Sequence, residues 1–128
     1  MATETEHETT LVASAACRDI AREAVAIWKE SVGRGADTAQ AFAGDHGISL
    51  IFKGILTPLE RTAVERGQAA TIAMIRREVF EANRERLIAA VERTSGRRVE
   101  VALYASSPEN NMSAFTFVLA KDELSEPS

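Results

Sequence analysis

The stretch Thr57-Pro58-Leu59-Glu60-Arg61 decides the fold because it begins the longest helical segment of this 128-residue chain. The hydroxyl of Thr57 can accept a hydrogen bond from a first-turn N–H, and Pro58 suits the first helical position, where no N–H is needed. Glu60 follows Thr57 by one helical turn, so its carboxylate can accept a bond from the backbone N–H of Thr57. The stretch therefore predicts a capped helix N-terminus at Thr57.

The helical segment that begins here extends to Gly96. Between Pro58 and Gly96 there is no further proline, and the one interior glycine is Gly67. Because an interior glycine costs about 1 kcal/mol relative to alanine, we expect Gly67 to divide the segment. The pattern predicts a short helix over residues 58–66 and a long helix over residues 68–94, closed by Gly96.

A helix and a hairpin precede this segment. Apolar residues recur at steps of three and four after Ser14, which predicts a first amphipathic helix that ends at Gly33-Arg34-Gly35. Residues 39–43 form a weak strand pattern and residues 48–56 a strong one, and the glycines at 44–47 predict a hairpin turn between them. The apolar face of the helix comprises Cys17, Ile20, Ala24, Ile27 and Trp28.

Two further alternating stretches follow the long helix, over residues 98–105 and 114–119. The order α-β-β-α-α-β-β predicts an α+β domain in which an antiparallel four-stranded sheet carries the helices on one face. We expect one domain over residues 14–120, between acidic tails at 1–13 and 121–128. The residues expected to share a face are Val99, Val101 and Leu103 in the third strand and Phe115, Phe117 and Leu119 in the fourth.

Composition narrows the function classes. The apolar fraction of 45% and the charged fraction of 27% are typical of an ordinary globular protein, and no apolar run is long enough to span a bilayer. The net charge of −4 lies mainly in the two tails, so the body is nearly neutral and nucleic-acid binding is not expected. The single cysteine, Cys17, cannot form an internal disulfide, which predicts a cytoplasmic protein.

Arg76 and Asn83 are candidate binding residues because they fall on the apolar face of the long helix, one heptad apart. A guanidinium on an apolar face must be paired or must reach water along its stem. Two interpretations follow. Arg76 can be the fork-shaped donor of a buried anion site, or it can form a structural ion pair with an acidic partner such as Glu60.

Arg34 is the third candidate binding residue. Between two glycines it could bind an anion beside exposed backbone N–H groups, although a solvated arginine in a helix-ending turn explains the same pattern. We expect no catalytic residues and no cofactor. We also expect no metal site, because one cysteine and two separated histidines cannot supply the usual zinc ligands. The sequence therefore favours a binding protein over an enzyme.

Several motifs together resemble one protein family. They are Gly33-Arg34-Gly35, Leu56 to Arg61, Ile75-Arg76-Arg77, Glu92 to Val99 and Phe117-Val118-Leu119. In order and spacing, over residues 14–120, they resemble the MpsC-like family of small bacterial proteins. The resemblance implies a soluble accessory of a sodium-translocating, membrane-potential-generating system, with transporter subunits as partners. A small-anion-binding sensor domain is the alternative function.

Self-association is expected from the second strand pattern. Ile48, Leu50 and Phe52 fall on one face, and Ile51 and Ile55 fall on the other, which the helices cannot also cover. An exposed apolar patch of this kind usually marks an interface, and the two-fold dimer is the commonest homo-oligomer. The sequence predicts a homodimer, unless the N-terminal segment or the short helix near Leu59 covers that face.

Overall fold

The structure is a computed structural model that describes residues 14–123, so the predicted tail at 1–13 and residues 124–128 lie outside the described residues. The α-β-β-α-α-β-β order is confirmed. The helices are α1 (Ser14–Val32), α2 (Pro58–Glu65) and α3 (Ala69–Ser95), and the strands are β1 (Thr38–Gly44), β2 (Gly47–Lys53), β3 (Arg97–Ser107) and β4 (Met112–Glu123).

The four strands form one antiparallel sheet in the order β1-β2-β4-β3, as expected for the α+β class. α1 and α3 pack on one face of the sheet, and α2 packs on α3. α1 and α3 run antiparallel, since Arg86 pairs with Glu30 and Arg93 with Glu23. The helices thus cover one face of the sheet and bury a single core against it.

The core is centred on five aromatic rings. Phe115 of β4 lies between Trp28, Phe52 and Tyr104, at centroid distances of 5.2, 4.9 and 5.0 Å. Phe80 of α3 stacks on Tyr104 at 5.1 Å with an interplanar angle of 11°. Since these rings come from two helices and three strands, the cluster joins most of the fold.

The capping box predicted at Thr57 is confirmed. The Thr57 hydroxyl accepts a bond from the backbone N–H of Glu60 at 3.1 Å, and Glu60 Oε1 accepts one from the backbone N–H of Thr57 at 2.9 Å. The predicted division at Gly67 is also confirmed, because Gly67 lies at φ +86° between α2 and α3.

Replacing the cap tests its contribution. We expect Thr57→Ala to lower the free energy of unfolding by about 0.5–2 kcal/mol, because the backbone N–H of Glu60 loses its acceptor. Urea denaturation followed by the fluorescence of Trp28, the only tryptophan, measures the loss. Thr62→Ala is the control, since its exposed hydroxyl bonds to the Pro58 carbonyl within the same helix. Equal midpoints for wild type and Thr57→Ala would contradict the prediction.

The second strand ends earlier than expected, at Lys53 instead of Leu56. Gly54 lies at φ +71° and turns the chain. The backbone N–H groups of Ile55 and Leu56 then donate to Asn111 Oδ1 at 2.7 and 2.8 Å. The assignment of Ile55 to the uncovered face is therefore wrong, because Ile55 is fully buried in the core.

The predicted face of β3 is wrong in part. The pairing register with β4 shifts between Arg97 and Val99 and again between Val99 and Val101. Such bulges insert unpaired residues and change which side chains face inward. As a result Val99 packs against the core, whereas Val101 and Leu103 lie on the opposite side and are 42% and 54% exposed.

We call the side of the sheet that faces away from the helices the open face. Directly paired residues share a face of an antiparallel sheet, so the strand register identifies its members. Across the sheet, its three central rows are Gln40–Ile51–Ala114–Ala105, Phe42–Ser49–Thr116–Leu103, and Val118 beside Val101. None of these side chains is charged, and Ile51 lies on the open face as predicted.

Candidate functional site

Arg76 lies at the centre of a buried polar arrangement that joins α2, α3 and the loop before α2. The side chain is fully buried, as its position on the apolar face of α3 requires. Its Nε donates to Glu60 Oε2 at 3.0 Å, and its Nη2 donates to Glu60 Oε1 at 2.6 Å and to the Ile55 carbonyl at 2.7 Å. The structure thus contains the ion pair with Glu60 that was one of the two interpretations of Arg76.

Glu60 has two roles at once. Its Oε1 accepts bonds from Arg76 and from the backbone N–H of Thr57, so the same carboxylate caps α2 and neutralises α3's buried charge. Its side chain keeps 13% exposure, whereas that of Arg76 has 1%. The arrangement fixes α2 and the loop before it to α3. The Arg76–Glu60 pair has no net charge, so it offers little attraction to an external anion.

Tyr104 and Ser113 extend this buried arrangement. Both belong to the inner face of the sheet and are 5% and 3% exposed. Burial raises the pKa of the Tyr104 hydroxyl, and the nearby Arg76, Ser106 and Ser113 side chains oppose this rise. Tyr104 therefore stays protonated near neutral pH and is available as a hydrogen-bond donor.

Neither Tyr104 nor Ser113 was among the predicted site residues. The expected alternation placed Val101 and Leu103 together with Val99, which assigned Tyr104 to the other side. A polar residue on the inner face of a strand is a usable signal only when the strand's register is known, and the bulges in β3 alter that register.

Asn83 is also buried, one heptad after Arg76 on the same face of α3. Its Nδ2 donates to Ser31 Oγ at 2.8 Å and to the Val79 carbonyl at 2.9 Å. The bond to Ser31 ties α3 to α1, and the bond to Val79 lies within α3. Arg76 and Asn83 share a helix face as predicted, but each bonds to its own partners, and a ligand-binding role for Asn83 remains a prediction.

Arg34 lies apart from Arg76 and Asn83, in the turn after α1. Its Nη2 donates to Asp37 Oδ1 at 2.5 Å and to the Gly54 carbonyl at 3.0 Å. Gly54 is required here because a Cβ atom would lie 2.2 Å from Asp37 Oδ2. Arg34 also lines a cleft of about 410 Å³, together with Lys29 and the start of α2.

Other candidate chemistry is limited in the part of the chain that the structure describes. No three histidine, cysteine, aspartate or glutamate side chains between residues 14 and 123 lie together as a metal site would require. Burial raises the pKa of the Cys17 thiol, which disfavours the reactive thiolate.

Comparison with models of protein families identifies the family of this chain. A family model described as "Na+-translocating membrane potential-generating system (MpsC)" matches residues 13–121. The chain belongs to the MpsC family. The match covers α1 to β4, and the resemblance seen in the sequence motifs is confirmed.

The family description of this MpsC family member names a membrane-potential system. No helix between residues 14 and 123 has the length and hydropathy needed to cross a bilayer. No curated protein and no solved structure matches the chain. A functional assignment therefore rests on the family and on the geometry of the described residues.

Proposed function

We propose that this MpsC family member is a non-enzymatic accessory or regulatory module of a Na+-translocating, membrane-potential-generating system, and that it acts through protein contacts in the cytoplasm. The family description supports the system. The open face of the sheet supports the mode of action, because its three central rows carry exposed apolar side chains and no charged ones.

The open face is best suited to a second copy of this chain. A two-fold interface brings each residue of a patch near its counterpart, so a charged patch would repel itself, whereas these three rows carry no charge. Leu103, Phe42 and Val101 are 54%, 47% and 42% exposed and supply the apolar surface. Two sheets can pack face to face about 10 Å apart through such side chains.

The size of the face sets the expected strength of the dimer. Strand spacing of about 4.8 Å and a rise of about 3.3 Å per residue give the three rows an area of roughly 350 Å² per copy. A standard interface buries about 800 Å² per partner. We therefore propose a weak, concentration-dependent homodimer, which leaves transporter subunits able to compete for the same face.

Leu103→Glu tests this interface. Light scattering of the wild type should rise from 13.9 kDa towards about twice that mass with increasing concentration, while Leu103→Glu stays at 13.9 kDa and folded. Met74→Glu is the matched control, because Met74 is 69% exposed and lies on α3, outside the open face. A wild-type mass of 13.9 kDa at every concentration would contradict the dimer.

The same pair of variants tests the function in cells. In a strain that lacks the gene, a potential-sensitive dye should report a reduced Na+-dependent membrane potential, restored by the wild type and by Met74→Glu. Leu103→Glu should restore it poorly, because the open face is the proposed contact. Full restoration by Leu103→Glu would exclude this face, and an unchanged potential in the deletion strain would overturn the proposed function.

Small-anion binding is the second candidate function, and the cleft beside Arg34 favours it. Arg34 Nε is buried and has no hydrogen-bond partner among the described residues, and Lys29 lines the same cleft. The Asp37 carboxylate offsets part of this positive charge. The Arg34 side chain is 35% exposed, whereas Arg76 and Asn83 are buried.

Arg34→Gln tests the anion site. If phosphate binds in the cleft, it raises the melting temperature of the folded wild-type protein by mass action, and Arg34→Gln abolishes that shift. The comparison uses the shift caused by phosphate, so a change in the baseline stability of the variant does not matter. Arg66→Gln, at an exposed position after α2, is the control. The same phosphate shift in wild type and Arg34→Gln would contradict binding at this cleft.

A further inference from the structure

Strand β1 is an edge strand, because among the described residues it pairs with β2 alone. An edge strand presents unpaired N–H and C=O groups to other chains, and proteins usually protect it with charges, prolines or bulges. The other edge strand, β3, has two register shifts and carries Arg97, Arg98 and Glu100. β1 has no charged residue and no proline, and its register with β2 is regular. β1 is therefore the unprotected edge of the sheet.

Two bonds between β2 and the end segments of β4 show which backbone groups of β1 are unpaired. The N–H of Leu119 donates to the His46 carbonyl at 3.0 Å, and the N–H of Gly54 donates to the Asn111 carbonyl at 2.9 Å. Because hydrogen bonding alternates along an antiparallel strand, even-numbered residues of β2 bond towards β4 and odd-numbered ones towards β1. The odd-numbered residues of β2 are paired with even-numbered residues of β1. The backbone groups that point away from the sheet are therefore those of Ala39, Ala41 and Ala43.

Helix α1 lies beside this edge and forms a groove with it. A cleft of about 500 Å³ lies between the first two turns of α1 and residues 39–43 of β1. A second cleft, of about 280 Å³, continues along α1 to Val25. The two clefts share Arg18, Ala21 and Ala39, so they form one groove along the strand edge, which we call the β1 groove. An extended chain in this groove can pair with the backbone of β1 and contact α1 at the same time.

The rim of the β1 groove is basic. Arg18 and Arg22 line it from α1, are exposed and lie one helical turn apart. Asp19 bonds to Arg22 at 3.1 Å, but the two side chains are 56% and 75% exposed, so this pair contributes little. A two-fold axis at β1 would bring the arginines of two copies together, which argues against a second copy of this chain here. Carboxylates are the groups that complement the rim.

We propose that the β1 groove binds an extended segment of a partner protein that has acidic side chains at every second position. The segment pairs with the outward backbone groups of β1 as an added strand, and these main-chain bonds supply affinity. Side chains of a strand alternate between two faces, so the acidic ones face α1 and contact Arg18 and Arg22. The remaining side chains extend the open face beside Phe42. This site uses the edge of the sheet, whereas the proposed homodimer uses its open face, so each can fail without the other.

Two synthetic peptides as long as β1 test the proposal. One alternates glutamate with valine, and the other alternates lysine with valine. Fluorescence anisotropy of the labelled peptides at low ionic strength should show that the glutamate peptide binds the wild-type protein about tenfold more tightly than the lysine peptide, or better. Equal binding of the two peptides, or no binding of the glutamate peptide at millimolar protein, would overturn the proposal.

Two variants separate the backbone contacts from the charge contacts. Ala41→Pro removes the central outward N–H of β1 and no bond to β2, and it should weaken binding of the glutamate peptide about tenfold or more. Arg18→Glu should weaken the glutamate peptide and strengthen the lysine peptide. Arg66→Glu, at the end of α2 and outside the groove, is the control for net charge and should change both affinities much less. Unchanged binding in folded Ala41→Pro, or an unchanged preference in Arg18→Glu, would overturn the proposal.

Amide hydrogen exchange of the wild-type protein locates the peptide even if Ala41→Pro does not fold. Binding should slow exchange at Ala39, Ala41 and Ala43 and leave Gln40 and Phe42, which already bond to β2, nearly unchanged. Protection elsewhere without protection of the three alanines would overturn the proposal. So would a smaller mass in light scattering for Ala41→Pro than for the wild type, because the edge would then bind a second copy of this chain.

Discussion

Glu60→Ala is expected to lower the free energy of unfolding by about 3–5 kcal/mol, because it leaves a buried arginine without its counter-ion. Arg76 would keep only its bond to the Ile55 carbonyl, and at 1% exposure its guanidinium cannot reach water. The same substitution removes the acceptor for the Thr57 N–H at the start of α2. A loss of this size is a large share of the about 5–15 kcal/mol that stabilises a typical domain.

Arg76→Met is expected to cost less than Glu60→Ala. Glu60 retains 13% side-chain exposure and its bond from Thr57, so the carboxylate left behind can still be solvated. The two interpretations of Arg76 also predict different results here. An anion donor replaced by methionine would keep or raise stability, whereas the observed ion pair predicts a decrease.

The double variant is the most direct test of whether the buried charge destabilises Glu60→Ala. Adding Arg76→Met to Glu60→Ala should restore part of the lost stability, since it removes the uncompensated charge from the core. Urea midpoints of the four proteins, read by Trp28 fluorescence, complete the cycle. Glu65→Ala serves as the control because Glu65 is exposed on the same helix. If the double variant is less stable than Glu60→Ala alone, the buried charge is not what destabilises the single variant.

The elements that sequence patterns predicted well are those whose signals are local. The capping box, the division at Gly67 and the hairpin turn each depend on residues within one turn of each other, and each is confirmed. The position of Arg76 was predictable for a related reason. Helical periodicity alone places it on the buried face of α3, and the need to pair its charge indicated an acidic partner.

The features that sequence patterns did not predict depend on distant contacts. Strand β2 ends at Lys53 because Asn111, more than fifty residues away, bonds the backbone of Ile55 and Leu56. The bulges that reverse part of β3 arise in its pairing with β4. Those bulges decide which residues face inward. The sequence pattern therefore did not predict that Tyr104 is buried or that Leu103 is exposed.

Phe115→Ala is expected to lower the free energy of unfolding by about 3–5 kcal/mol, the usual cost of deleting a buried aromatic ring. Phe115 is fully buried and has four aromatic neighbours, so its removal leaves a cavity whose walls belong to α1, α3, β2 and β3. These elements are held to one another by other contacts, which limits how far the cavity can collapse.

Phe42→Ala provides the matched comparison, because it deletes the same ring from the same sheet at 47% exposure. It should cost less than half as much as Phe115→Ala in urea denaturation at low protein concentration. Trp28 contacts Phe115 edge-on, so its emission should also change in the folded state of Phe115→Ala and not in that of Phe42→Ala. Similar midpoints for the two variants would contradict the prediction. They would mean that the aromatic cluster collapses around the missing ring and leaves no large cavity.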